Sequence, residues 1–214
     1  MQKLFSHWFK GLSLLTIAFV AIAALSAFIL HSSAFANSSS ANTTKANTQP
    51  NSSFTFSMVP SPGISACLPH ASGSVTITTG AVNDTMKVSV SGLAHSTGYD
   101  LFVIEIPNKP FGIAWYQSDL QTDSSGAGSA TVRGIFNVET FSVSTGGPTT
   151  TFAPTHQYHL GLWFNSPKVP FNLGCEPGAT SPIVTPFNGA QHAGIQVLNT
   201  SNFPNKAGPL SHVS

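Results

Sequence analysis

A histidine, a glycine and a tryptophan alternate along one short segment, at His159, Gly161 and Trp163. Alternate residues of a strand share one face, so we expect these three to lie together. The other face must be the core, since it carries Tyr158, Leu160, Leu162 and Phe164. A glycine between an imidazole and an indole predicts a shallow gap that fits a sugar ring or an aromatic group. The alternative is that a loop such as 171–189 covers this face and Trp163 is buried by packing.

Two further aromatic segments extend this hypothesis of a ligand site. Trp115 and Tyr116 follow the sequence Pro-Phe-Gly at 110–112, where a turn can present aromatic side chains, although core packing is the alternative. The loop from Phe187 to His192 is the second such segment. The candidate ligand-binding residues are therefore His159, Trp163, Trp115, Tyr116, Phe187 and His192.

Histidines also raise the hypothesis of a metal site, because histidine is the commonest metal ligand. The candidate ligands are His156, His159 and His192, with copper or zinc as the ion and Glu139 or Glu176 as a carboxylate. Residues three apart on a strand point to opposite faces, so His156 would have to bend inward, which Pro154 allows. A blue-copper pattern fails because no Met follows Cys175. We predict no cofactor, with copper or zinc as the alternative.

Nucleophilic catalysis and phosphate chemistry have little support. No Gly-x-Ser-x-Gly sequence occurs. The spacing of Asp119 and Asp123 suits neither an EF-hand loop nor paired catalytic carboxylates. We predict that both are turn residues, because Asp can bond its own backbone in a turn. We predict no catalytic residues, and the sequence favours a protein that is not an enzyme.

The two cysteines, Cys67 and Cys175, predict one disulfide, because an even count in an oxidising compartment reads first as a bridge. A metal thiolate is the alternative.

The start of the chain predicts export. Lys3 and Lys10 precede an almost wholly apolar run over 11–30, and Ala34-Phe35-Ala36 follows. This layout is typical of a signal peptide over 1–36, cleaved after Ala36. About 20 apolar residues also suffice for an uncleaved membrane anchor helix. In both cases the protein works outside the cytoplasm, secreted or anchored, and meets the membrane only through this segment.

Composition sets the domain boundaries and excludes one class of partner. Residues 37–53 are rich in Ser, Thr and Asn without large apolar residues, which predicts a flexible linker. A single domain then spans 54–205, before a C-terminal tail over 206–214. Only 7% of all residues are charged, and no basic patch exists, so we predict no nucleic-acid binding.

The domain shows a period of two, with Val75 and Ile77 in one run and Met86, Val88 and Val90 in the next. Seven or eight such short strands separated by turns predict an all-β antiparallel β-sandwich.

Two resemblances bear on fold and origin. Gly92-Leu93 followed by a polar turn and Tyr99 resembles immunoglobulin-like and fibronectin-like modules, which implies an immunoglobulin-like sandwich. The second is carried by HLGLWFN at 159–165, GC at 174–175, TPFNG at 185–189 and AGIQVL at 193–198. These segments resemble a group of secreted bacterial proteins of uncharacterised function, which implies an exported bacterial origin and a shared fold but no activity.

Together these observations predict an exported, non-catalytic binding module at the cell surface or outside the cell. Its partner would be a surface glycan or a protein. Two alternatives stay open, namely an extracytoplasmic metal-binding or redox protein and a purely structural envelope protein.

Overall fold

The computed structural model describes residues 52–136, 142–143, 146–148, 150–151, 158–186 and 192–213. All of them belong to one compact unit, Lys45–Ser214. The predicted signal peptide, most of the linker, His156 and Phe187 lie outside the described residues.

Short strands are the main regular elements of the described chain. They are β1 (Ser53–Pro60), β2 (Ser72–Thr78), β3 (Asp84–Ser91), β4 (Gly98–Ile104), β5 (Ala114–Gln121), β6 (Gly128–Gly134), β7 (Ser142–Val143), β8 (Thr150–Thr151), β9 (His159–Phe164), β10 (Thr185–Pro186), β11 (His192–Ala193) and β12 (Gln196–Asn199). One helical segment, α1 (Lys168–Asn172), and two 3-10 turns (Ile64–Ala66 and Pro209–His212) complete the described elements. None of the described helices is long and apolar enough to cross a membrane.

Eight strands form an antiparallel sheet in the order β5-β4-β9-β12-β1-β2-β3-β6. The sheet folds over at β1, because Ser53 to Met58 pair with β2 whereas Val59 and Pro60 pair with β12. The all-β, sandwich-like fold predicted from the alternating pattern is confirmed.

The core lies between the two halves of this sheet. Val75, Ile77, Met86 and Val88 project into it from one half, and all four are fully buried. From the other half, the predicted core side of β9 is confirmed, since Leu160, Leu162 and Phe164 belong to the same cluster. The period of two thus places one row of each strand in the core, as hydrophobic burial requires.

The predicted disulfide is confirmed. Cys67 and Cys175 are bonded, with their Cα atoms 5.0 Å apart and 108 positions between them in sequence. The bond joins the 3-10 turn after β1 to the segment after α1. Since both cysteines are in the bridge, the metal-thiolate alternative is wrong.

The prediction of a separate tail over 206–214 is wrong for the part that the structure describes. Leu210 and Val213 are buried in the core cluster, and Leu210 N donates to Tyr158 O at 3.0 Å. The backbone of this segment also bonds within itself, from Ser211 N to Gly208 O and from Val213 N to Leu210 O. The domain therefore extends to Val213. At its N-terminal end, β1 begins at Ser53, one residue before the predicted domain boundary.

Candidate functional site

A row of polar and aromatic residues crosses four neighbouring strands on the face away from the core. Asp119 of β5 is paired with Asp100 of β4, which is paired with Trp163 of β9. Trp163 is in turn paired with Gln196 of β12. Because antiparallel register places paired side chains side by side, these four residues are lateral neighbours.

Trp163 is buried under this face rather than presented on it. It is 3% exposed, and its ring lies edge-on to Phe102 and Phe111, with centroids 5.3 and 5.0 Å away. These residues form a second, small apolar cluster with Ile104 and Ala193. Trp163 is therefore buried by packing, as the alternative predicted, but among the described residues the loop residue that lies against it is Phe111, from the turn before β5, rather than one from the loop 171–189.

The predicted gap at Gly161 is wrong. A Cβ atom built on Gly161 would lie 2.7 Å from Gln196 Nε2 and still closer to the six-membered ring of Trp163. The space that the absent side chain leaves is therefore filled by the indole and by a neighbouring amide.

His159 is a structural residue at the end of the same strand. It is fully buried, and its Nε2 lies 3.1 and 3.2 Å from the carbonyl oxygens of Pro204 and Asn205. Nε2 must therefore carry the proton, so Nδ1 accepts from the Thr200 hydroxyl at 2.9 Å. Burial lowers the pKa of His159, and the hydrogen bonds to the backbone oxygens of Asn205 and Pro204 oppose this effect. Both ring nitrogens are occupied by protein atoms.

The other candidate residues that the structure describes lie on two different strands, β11 and β5. His192 is exposed in β11, and within the described ranges no group of three His, Cys, Asp or Glu side chains could hold a metal. Trp115 and Tyr116 are each 46% exposed on β5. Tyr116 joins the buried aromatic cluster, because its ring lies 5.6 Å from that of Phe102. The structure thus brings Trp163 and Tyr116 to one face.

A cleft of about 550 Å³ opens beside Trp163 on the β12 side. Its polar lining includes Gln196, Glu176, Lys109 and Ser61, and its apolar lining includes Phe111, Ile183 and Ile195. Sequence reasoning named Glu176 only as a possible metal ligand and missed Gln196 entirely. One feature of the sequence could have indicated Gln196: it is a polar residue within a short apolar segment that forms a strand. That strand, β12, pairs with β9, which carries Trp163.

A chain of hydrogen bonds sets the orientation of the Gln196 amide. Ser201 N can only donate, so the Asn199 atom 2.9 Å from it is Oδ1. Asn199 Nδ2 therefore faces Gln196, and the Gln196 atom 2.9 Å away must be the acceptor Oε1. Ser61 Oγ donates to the same oxygen at 2.9 Å. The amide nitrogen of Gln196, with two N–H groups, is left pointing away from this network.

Three buried polar atoms that line this cleft or belong to its lining residues have no hydrogen-bond partner among the described residues. They are Trp163 Nε1, Gln196 Nε2 and Glu176 Oε1. The other carboxylate oxygen of Glu176 accepts from Ile183 N at 2.9 Å. Buried polar groups are normally paired, and each one left unpaired costs about 1–3 kcal/mol. Because three of its lining residues carry such an atom, this cleft is the candidate binding site.

The other end of the row is a pair of carboxyl groups. Asp100 is 1% exposed, and its Oδ1 accepts from Asn165 Nδ2 at 3.0 Å. Burial raises the pKa of Asp100 to about 6, the Asn165 hydrogen bond opposes this, and the negative charge of Asp119 adds to it. Asp119 is exposed and accepts from the Tyr116 hydroxyl at 2.7 Å. Asp100 therefore holds its proton more tightly in the folded protein than in the unfolded chain.

Replacing Asp100 by Asn is expected to raise the free energy of unfolding at pH 7.5 by up to about 3 kcal/mol, the value that corresponds to a pKa raised from 3.8 to about 6. The pKa of Asp100 is higher in the folded protein than in the unfolded chain. Protonated Asp100 therefore stabilises the fold fully below about pH 4, and this contribution is lost as the pH rises through about 6. An asparagine does not ionise, so the gain should shrink or vanish at pH 4. Guanidinium unfolding of both proteins at the two pH values measures this.

Asp123→Asn is the matched control, because hydrogen bonds from Ser125 and Ala127 lower the pKa of Asp123. The same substitution there should give no gain at pH 7.5. A gain at Asp100 that is equal at both pH values would contradict the assignment.

Comparison with known protein families and with curated proteins found no match. The class of the protein is therefore defined by its own structure: an all-β domain with one disulfide and an open cleft, three of whose lining residues carry a buried polar atom without a hydrogen-bond partner in the described part of the chain.

Proposed function

We propose that this protein is an exported binding module, at the cell surface or outside the cell, that holds part of its ligand in the cleft beside Trp163. The observation that carries the proposal is the set of three unpaired buried polar atoms, on Trp163, Gln196 and Glu176. The signal-like start of the sequence and the disulfide support export, since disulfides persist in oxidising compartments.

The chemistry of the cleft favours binding over turnover. Ser61, a hydroxyl in its lining, already donates to Gln196 Oε1 and lies 3.2 Å from the donor Asn199 Nδ2. No histidine is among the described lining residues, so Ser61 has no adjacent general base there. Unpaired N–H groups beside an indole and apolar walls are instead what a ligand pocket needs for orientation and affinity.

Replacing Trp163 by Phe tests this function. The variant keeps an aromatic ring and removes the indole N–H, so binding to the ligand found on glycan and peptide arrays should weaken about tenfold or more. Affinities are measured by calorimetry, and thermal unfolding checks that the variant is folded.

Trp115→Phe is the control, because it makes the same change on exposed β5. A ligand that binds both variants with equal affinity would show that it does not bind in the cleft beside Trp163. Arrays on which nothing binds would favour a purely structural envelope protein.

A further inference from the structure

The charges at the cleft define the class of ligand more narrowly. We infer that the ligand presents an α-amino acyl group, an ammonium next to a carbonyl or carboxylate, as at the N-terminus of a peptide or in a free amino acid. This inference rests on the proposed function, since it requires that the cleft binds a ligand.

The carboxylate of Glu176 selects the ammonium. Glu176 is 7% exposed, and it adjoins the disulfide through Cys175, which also lines the cleft. One of its oxygens accepts a single backbone N–H, and the other accepts no hydrogen bond from the residues that the structure describes. A buried carboxylate is costly unless it is paired, and a cationic N–H donor forms the strongest hydrogen bond to it.

The two donors select the adjacent carbonyl. Trp163 Nε1 and Gln196 Nε2 belong to residues paired across β9 and β12, and neither has an acceptor in the described part of the chain. A carbonyl oxygen has two lone pairs and can accept from two donors at once. In an α-amino acyl unit the ammonium and the carbonyl are attached to the same carbon, so one compact group supplies both kinds of partner.

The rest of the lining fits the remainder of such a ligand. Phe111, Ile183 and Ile195 form apolar walls for a side chain. Lys109 is exposed at the cleft, where it can pair with the carboxylate of a free amino acid but has no such partner in a longer peptide. A neutral sugar offers hydroxyl groups to the donors, yet it leaves the Glu176 carboxylate without a cation.

Calorimetry on the full-length, oxidised protein tests the inference with four probes: Leu-Gly-Gly, its N-acetylated form, free leucine and N-acetylglucosamine. Acetylation removes the ammonium and keeps the carbonyls, so it should weaken binding of the tripeptide at least tenfold. Glu176→Gln should remove this difference between the two tripeptides. Lys109→Gln should weaken the binding of free leucine more than that of the tripeptide, because the tripeptide carboxylate lies two residues further from the ammonium.

Glu105→Gln is the matched control, because Glu105 also accepts one backbone N–H, from Ile113 at 3.2 Å, but does not line the cleft. It should keep the preference for the free amine, and thermal unfolding should show both Gln variants folded. Equal binding of the free and acetylated tripeptides, or binding of N-acetylglucosamine alone, would overturn the ligand class while the proposed function stands. If neither these probes nor the arrays bind, the proposed function itself fails.

Discussion

Breaking the Cys67–Cys175 disulfide is expected to lower the free energy of unfolding by about 4–5 kcal/mol. The bond closes a loop of 108 positions, so it removes many conformations from the unfolded chain. Cys175 is also 4% exposed and belongs to the core cluster, which leaves little room for a replacement. For a domain of this size the melting temperature should fall by roughly 10 °C or more.

Guanidinium unfolding with and without dithiothreitol measures this effect. The double variant Cys67→Ala, Cys175→Ala is the control, since its stability should be low in both conditions and should not respond to the reductant. A change of less than about 1 kcal/mol on reduction would show that contacts of the folded state, rather than the bridge, hold these segments. Because Cys175 also lines the cleft, the reduced protein should bind ligand more weakly as well.

Gly161→Ala is expected to lower the free energy of unfolding by about 2–3 kcal/mol, the upper part of the usual range for overpacking. The new methyl group would meet the Trp163 ring at less than contact distance and Gln196 Nε2 at 2.7 Å. The indole is held by Phe102 and Phe111 and has little freedom to move aside. Denaturant unfolding measures the loss.

Gly98→Ala is the matched control in a neighbouring strand. A Cβ atom there has its nearest neighbours at 3.5 Å, which is ordinary van der Waals contact, so stability should be unchanged or slightly higher. In a Trp163→Leu background, Gly161→Ala should cost much less, because the clashing ring is gone. An equal cost in both backgrounds would mean that the strand backbone, rather than the indole, requires glycine at this position.

The unpaired atoms of the cleft and the crowding at Gly161 have a common structural origin. Trp163 and Gln196 are paired neighbours whose side chains both fill the space above Gly161, and the indole N–H and the amide N–H groups have no acceptor among the described residues. A ligand acceptor in the cleft would therefore satisfy groups that the described part of the fold leaves unpaired. Trp163→Phe and Gly161→Ala are expected to differ for this reason, the first acting mainly on binding and the second on stability.

The local sequence was sufficient to predict the buried rows of the strands and the disulfide. The alternation of Val75 and Ile77, and of Met86 and Val88, predicted the buried rows correctly, because the period of a strand places every second side chain on one face. The disulfide followed from there being two cysteines in a chain with a signal-like start. The core side of β9 followed in the same way from Leu160, Leu162 and Phe164.

What covers the opposite face of β9 was decided only by the tertiary structure. The ring that lies against Trp163 comes from Phe111, and the groups that bind His159 come from Thr200 and Pro204, all remote in sequence. The orientation of Gln196 depends on Asn199 and on Ser61, which is 135 positions away. Periodicity along a strand predicts which side chains share a face. Which residues bury that face, and which of its polar groups find a partner, is set by packing between segments that are distant in sequence.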